Sequence, residues 1–423
     1  MKNTSRIALE GGQPSLPNPS PPMYPGGNIL GEQEMDAVLD TIRKKRLFRY
    51  YGPTETTSKV EELEKRFAEK MNIRHALAVT SGTAALVTAL QALGIGPGAE
   101  VIVPAYTWIA TAAAVLAVGA IPVVAEVDSS LTLDPTDLTN RLSPYTRAII
   151  PVHMRGVPCR MEKILAFAHD HNLNVIEDTA QATGASYHGQ RLGTFGDVGC
   201  FSLQFNKIIT AGEGGMIITN DEPVFKRAIM YHDVIGGLRN NIPADQVLWG
   251  INFRMPELLA AVALAQLEKL DPLLETMRKL KTILQDAILP VVKMKGLEVQ
   301  DLPDPEGDAA IAFIIFARSP EQAKQISKAI CAENVEAFNL YEAEKVDYHV
   351  YAHWTPIVNQ RSWNEANIPW SMAPRPVDYS PNACPRTLDL LSRAVHIDVN
   401  PLYSSADIES VAEAIEKALN RYA

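Results

Sequence analysis

Cysteine is scarce in this chain of 423 residues: Cys159, Cys200, Cys331 and Cys384 are far apart and form no CxxC pair. That usage suits the unpaired thiols of a cytoplasmic protein. A basic excess is missing too. There are 39 Lys and Arg against 49 Asp and Glu, a formal charge of −10 and a pI near 5.5. A nucleic-acid footprint is therefore absent, and adsorption to an anionic membrane is not expected. The one long apolar run, 109–125, is alanine-rich and broken by Gly119 and Pro122. A buried helix turning into a buried strand explains it better than a membrane span. Ile7-Ala8-Leu9 is too short for the apolar region of a signal peptide, so none is expected. There is no GxSxG elbow and no Walker A sequence. Gly94-Ile95-Gly96-Pro97-Gly98 precedes a strand and reads as a turn, not as a dinucleotide fingerprint. Internal repeats and low-complexity tracts are also lacking.

What remains is an ordinary globular composition, 47% hydrophobic and 21% charged. The length suggests one large and one small domain. Residues 1–35 are rich in Pro and Gly and read as an extended arm on the surface or on a neighbouring subunit. Residues 36–255 would form the large domain. Residues 256–423 would form a linker helix and a smaller α+β domain. Ser58 to Glu61 reads as a capping box opening a helix with Val60, Leu63 and Phe67 on one face. From Ala76 to Asn220, β-branched runs at 76–80, 100–104, 121–128, 147–153, 174–178, 198–203 and 215–220 alternate with alanine-rich helical runs. This predicts an α/β fold with a mostly parallel sheet between helices, and ligands beyond the carboxyl ends of its strands. After Pro256 the pattern turns helical, with Pro272 expected to interrupt or kink it. A strand at 309–316, a helix over 321–333 and a last helix from about Asp407, striped by Ile408, Val411, Ile415 and Leu419, complete the reading.

The stretch 174–220 carries the chemistry. A strand ends in Glu177-Asp178, a second ends near Ser202, Lys207 follows, and Gly212-Glu213-Gly214-Gly215 opens a third. A carboxylate, a hydroxyl and an amine at neighbouring strand ends are the partners that pyridoxal phosphate needs. Taken one at a time, each residue has a plainer reading. Asp178 suits a helix cap as well as a pyridine nitrogen, since 179–182 could start a helix. Thr80-Ser81-Gly82-Thr83, between a strand and a helix, suits a phosphate but is more often a plain N-cap. Trp108, just past the strand 100–104, could stack on a ring, though position alone favours a core aromatic. Lysines usually decorate surfaces. Near apolar neighbours and another cation, however, Lys207 would have a depressed pKa and a nucleophilic amine. The pairing of Asp178 with Lys207 makes the set specific. His169 and His171 read as a solvated helix face, and His349 and His353 lack a nearby acidic or thiolate partner at ligand spacing, so no metal is expected.

Taken together, SGTAAL, PAYTW, EDTAQATGA, FSLQFNK, GEGG, INFRM and CPRTLDLLSRAV, in this order and over nearly the whole chain, resemble the DegT/DnrJ/EryC1/StrS aminotransferases of pyridoxal-phosphate fold type I. Gln204 in FSLQFNK and the segment Cys384–Val395 look more like the cyclitol (aminoglycoside-type) members, where nucleotide-sugar members usually carry His. The resemblance implies a pyridoxal 5'-phosphate enzyme with Lys207 as Schiff-base and proton-shuttling lysine and Asp178 on the pyridine nitrogen. It places Gln181 near the ring hydroxyl, Trp108 on the ring face, and Gly82, Thr83 and Ser202 on the phosphate. Asn252 would reach the phosphate of a partner subunit, making a homodimer with shared active sites. Arg254 is assigned to structure rather than to a carboxylate. The implied activity is ping-pong transfer of an amino group from glutamate or glutamine to a keto-sugar or keto-cyclitol. Alternatives are decarboxylation or elimination on the same scaffold, or a non-catalytic cofactor-binding regulator. The dehydratase branch is disfavoured because it has lost the lysine. Two departures from the common pattern, Phe205-Asn206 and Arg155, both lie near the expected substrate mouth.

Overall fold

The computed structural model describes residues 6–53 and 57–423. Residues 1–5 of the expected arm lie outside the described residues. The large sheet has seven strands: β1 His75–Val79, β2 Glu100–Pro104, β3 Ile121–Ala125, β4 Thr146–Ile149, β5 Asn174–Asp178, β8 Val198–Ser202 and β9 Gly215–Thr219. A short hairpin, β6 Ser186–Tyr187 and β7 Gln190–Arg191, stands apart. The order across the sheet is β1-β9-β8-β5-β4-β2-β3. β9 runs antiparallel to both neighbours, and every other pair is parallel. The strands read as continuous apolar runs because both faces are covered, and β2, β3, β8 and β9 are buried throughout. The helix Gly82–Ala92 is apolar nearly all round and lies in the core between the sheet and outer helices. The expected mostly parallel α/β fold is the observed one.

A second sheet of four antiparallel strands, ordered β10-β11-β13-β12, is built from β10 Glu298–Val299, β11 Ala312–Phe316, β12 Ala337–Asn339 and β13 Ala394–Asp398. Helices Pro320–Ala332 and Ser405–Tyr422 pack with it in a separate apolar core. Ile408, Val411, Ile415 and Leu419 are all fully buried there. The N-terminal segment is pinned to this unit. The Glu333 carboxylate accepts from Ala8 N (2.7 Å) and Ser15 N (2.8 Å), and Asn400 Nδ2 donates to Pro21 O at 2.9 Å. The segment then turns toward the large sheet, where Gly26 N donates to Lys207 O at 3.0 Å.

Three local expectations need correction. Pro272 does not interrupt the helix, which runs unbroken over Glu257–Met294. One missing backbone donor is outweighed by the burial of Leu267, Leu270, Leu273, Leu274 and Met277 around it. The capping box at Ser58 is half formed. Ser58 Oγ accepts from Glu61 N at 3.1 Å, but the returning carboxylate comes from Glu257, which takes Ser58 Oγ–H and Lys59 N–H, both at 2.5 Å. A buried acid from the long helix thus replaces the local Glu61. Finally, residues 179–182 make a turn, not a helix, so Asp178 is no helix cap.

Candidate active site

Five loops leave the carboxyl ends of parallel strands and meet around one cavity of about 550 Å³, within the usual size of a cofactor or substrate site. β1 leads to Ser81, Gly82 and Thr83, and β2 to Thr107, Trp108 and Thr111. β4 leads to Arg155, β5 to Asp178 and Gln181, and β8 to Gln204 and Lys207 beyond Ser202. All of these residues line the cavity.

One corner suits an anion. Ser81 caps the helix Gly82–Ala92, its hydroxyl accepting from Ala84 N at 3.0 Å, so the first N–H groups of that helix open toward the cavity. Ser202 stands beside them. A Cβ at Gly82 would lie 2.8 Å from Ser202 Cβ, so only glycine lets the helix end and the hydroxyl share this corner. A Cβ at Gly215 would lie 2.3 Å from Ser81 O, which explains why β9 opens on glycine against this loop.

Alternation along β5 sends Glu177 and Asp178 to opposite faces. Glu177 is structural. It accepts from Gly193 N (2.8 Å), Phe195 N (2.7 Å) and Gly196 N (2.8 Å), and meets His153 Nε2 at 3.0 Å. Asp178 faces the cavity. Its Oδ2 accepts from Thr111 Oγ1 at 2.8 Å and its Oδ1 from Ala180 N at 3.1 Å. Burial raises its pKa above the ordinary carboxylate value, against the lowering effect of those donors and of Lys207 and His153. An opposite charge placed in the cavity would satisfy it.

Lys207 sits in the bend after β8, its backbone N donating to Gln204 O at 3.0 Å. Burial lowers its pKa. Arg155 adds to that lowering, while Asp178 and Glu213 pull the other way. The neighbouring cation expected from sequence is Arg155, which comes from a different strand end. Trp108 is 46% exposed and lines the cavity, so the core-aromatic reading is wrong. Its ring lies 4.9 Å from His349 and 6.4 Å from Tyr348.

Sequence reading discounted His349 for want of a nearby acid and missed Asp347 and Thr111. His349 Nδ1 lies 2.8 Å from Asp347 Oδ1, and His349 lines the cavity. Both residues reach the site through backbone pairing of a distant segment with the β2 loop: Thr107 N to His349 O at 2.9 Å and Tyr351 N to Ala105 O at 3.0 Å. No local signal marks such a pairing. Thr111 had one: it follows Thr107 by a helical turn, and the two hydroxyls are 2.8 Å apart.

Asn252 is exposed and does not line this cavity; its Oδ1 accepts from Arg254 N at 3.3 Å. Arg254 pairs with Asp233 at 2.6 Å and lies over the Phe48 ring, a structural role. Among the described residues no cluster of His, Cys, Asp and Glu could hold a metal, and no helix is long and apolar enough to cross a membrane.

Residues present here suit pyridoxal phosphate: an amine, a buried acid held by donors, an exposed aromatic face and a glycine–hydroxyl anion corner lie around one cavity. Comparison with known proteins agrees. GDP-perosamine synthase of Caulobacter vibrioides is 46% identical over 50% of this chain and 57% of that protein, so the match spans little more than half of that relative. The L-glutamine:2-deoxy-scyllo-inosose aminotransferase of Micromonospora echinospora is 30% identical over 97% of both chains. The structure of an aminotransferase from Psychrobacter cryohalolentis superposes with a TM-score of 0.79 at 28% identity, covering 96% of this chain and 99% of that one. The family model for DegT/DnrJ/EryC1/StrS aminotransferases matches residues 28–416, and the chain belongs to that family.

Proposed function

We propose that this pocket transfers an amino group from L-glutamine or L-glutamate to a keto-cyclitol or keto-sugar, with pyridoxal 5'-phosphate as cofactor. The observation that carries the reading is one cavity lined at once by Lys207, Asp178 and the Ser81–Thr83/Ser202 anion corner. When bound, the cofactor supplies an electron sink for the bonds at the amino-bearing carbon. The protein does the rest. Asp178 would hold a proton on the ring nitrogen, Trp108 would cover a ring face, and Gln181 would orient the ring hydroxyl. Gly82, Thr83 and Ser202 hold the phosphate. Lys207, with its lowered pKa, would hold the cofactor and serve as the group that moves a proton at the substrate carbon. Gln204, on the cavity wall where nucleotide-sugar members usually carry His, favours the cyclitol class.

The site is shared between two copies of the chain in this reading. Met35, Leu39 and Ile42 form an exposed apolar stripe on the helix Glu32–Arg43. Val234, Leu238, Leu248 and Trp249 are exposed nearby in sequence to Asn252. Arg239, beside the second set, lies 4.6 Å from the Tyr50 ring centroid and 5.5 Å from that of Phe48, a few residues past the first helix. A second copy covering these residues would bring Asn252 to the partner's phosphate. The cofactor-loaded protein should sediment as a dimer; a one-chain mass removes this part of the proposal.

The direct test is the visible spectrum of the cofactor-loaded protein during titration with L-glutamine and, separately, L-glutamate. Loss of the visible band with either donor is expected. A band unmoved by both overturns the donor assignment, and a chain that takes up no pyridoxal phosphate overturns the whole reading.

A further inference from the structure

Arg155 is a cation without an obvious employer. It stands just past β4 in a left-handed backbone conformation, φ 55° and ψ 26°, which is strained for a non-glycine residue. The conformation is held from both sides: Arg155 N donates to Gln181 Oε1 at 3.2 Å, and Gly156 O accepts from Ala309 N at 3.1 Å. Its guanidinium lies 5.5 Å from the Phe338 ring centroid, and its Nε is buried with no hydrogen-bond partner. The buried Tyr106 hydroxyl shares a hydrogen bond with it, and Asp398 and Asp347 favour its charge from nearby, but both carboxylates are engaged elsewhere. Asp398 meets His396 at 2.7 Å, and Asp347 meets His349 at 2.8 Å. Among the described residues, no acid forms an ion pair with Arg155.

Burial opposes the guanidinium charge and no carboxylate pairs with it directly, so a ligand anion in the cavity is the natural direct partner. The cofactor phosphate is a poor candidate. Its corner is built at β1 and β8, whereas Arg155 comes from β4, with β5 and Asp178 between them. Arg155 instead lines the cavity together with Gln181, His349 and Lys207, the amine that a reacting substrate must approach. A planar guanidinium suits a carboxylate, which it can grip with two parallel N–H donors.

We propose that Arg155 is a carboxylate-binding residue of this pocket, fixing a substrate carboxylate beside Lys207. The proposal rests on the aminotransferase reading of the pocket and deepens it. The carboxylate can come from the α-carboxyl of the amino donor or from an acidic acceptor, since a neutral keto-cyclitol offers none.

The test compares the wild-type, Arg155→Gln and Arg155→Lys proteins loaded with pyridoxal phosphate, each checked for an intact cofactor band and melting temperature. Succinate is the activity-independent probe, followed by calorimetry and by its shift of the cofactor band. Wild type should bind it, Arg155→Gln should bind at least about tenfold more weakly, and Arg155→Lys should lie between. The two half-reactions are then measured apart. A KM raised at least about tenfold for L-glutamine or L-glutamate, exceeding the change in kcat, assigns the donor carboxylate. A loss confined to acceptors bearing a carboxylate, with a neutral keto-cyclitol unaffected, assigns the acceptor. Unchanged succinate binding together with unchanged KM in both half-reactions overturns the proposal. A wild-type protein that binds succinate through Arg155 yet reacts with no amino donor keeps the subsite and overturns the aminotransferase reading instead.

Discussion

Lys207→Ala is expected to lower turnover by about 10⁴-fold or more, since it removes both the covalent anchor and a proton-transfer group worth up to about 10⁴ by itself. Cofactor binding should weaken less than turnover. The anion corner formed by Ser81, Gly82, Thr83 and Ser202 is built from other strand ends and survives the substitution. Borohydride should then fail to fix the cofactor to the variant, while equilibrium dialysis still detects binding. The pH dependence follows from the same surroundings. Burial, reinforced by Arg155, holds the Lys207 amine below the ordinary lysine value, against the pull of Asp178 and Glu213. The nucleophile is the free amine, so the rate of cofactor uptake by the cofactor-free protein should rise with pH through that lowered pKa and then level off. Arg155→Gln removes one lowering charge and should move the midpoint upward. Near-normal turnover in Lys207→Ala would sink the proposed chemistry.

Much of this site was legible because its residues lie within a few positions of a strand end. Strand character is local. The seven runs between Ala76 and Asn220 correspond to the seven strands of the large sheet, and Gly82, Trp108, Asp178 and Lys207 all lie at or just beyond their carboxyl ends. The sheet order β1-β9-β8-β5-β4-β2-β3 is not local, and it decides which loops meet. Arg155 stood out in sequence only as a departure from a pattern. That it shares a wall with Lys207 follows from the order β8-β5-β4, which brings their loops to one cavity. His349 was harder still. A stretch far along the chain pairs its backbone with the β2 loop, and hydrogen bonds between irregular segments leave no periodicity to read. The continuity of the helix through Pro272 and the half-formed box at Ser58 share a cause: a distant apolar face in one and the distant carboxylate of Glu257 in the other overrode a local rule.

Asp178→Asn should separate catalysis from stability. An amide is neutral and cannot hold a proton on a ring nitrogen as a carboxylate does, so kcat is expected to fall about 10²- to 10⁴-fold, the range for loss of a positioned acid–base group. The fold should not suffer. Thr111 Oγ1 and Ala180 N donate to Asp178 at 2.8 and 3.1 Å, and an amide can accept only one of these bonds through its oxygen, which argues for a small loss. Charge argues the other way. Burial raises the Asp178 pKa above its unfolded value, so the folded state holds this proton more tightly than the unfolded chain. The resulting contribution is favourable below the unfolded pKa and is lost as pH rises through the folded one. At neutral pH the ionised carboxylate is therefore a burden in the cofactor-free protein. The cofactor-free variant should accordingly melt no lower than wild type at pH 7, with any advantage shrinking as both are acidified toward the ordinary carboxylate range. Loading with cofactor should reverse the order, because the ring cation stabilises only the carboxylate. A cofactor-free variant that melts well below wild type at pH 7 would mean that Asp178 is held for the fold, and its placement at the end of β5 would lose its functional explanation.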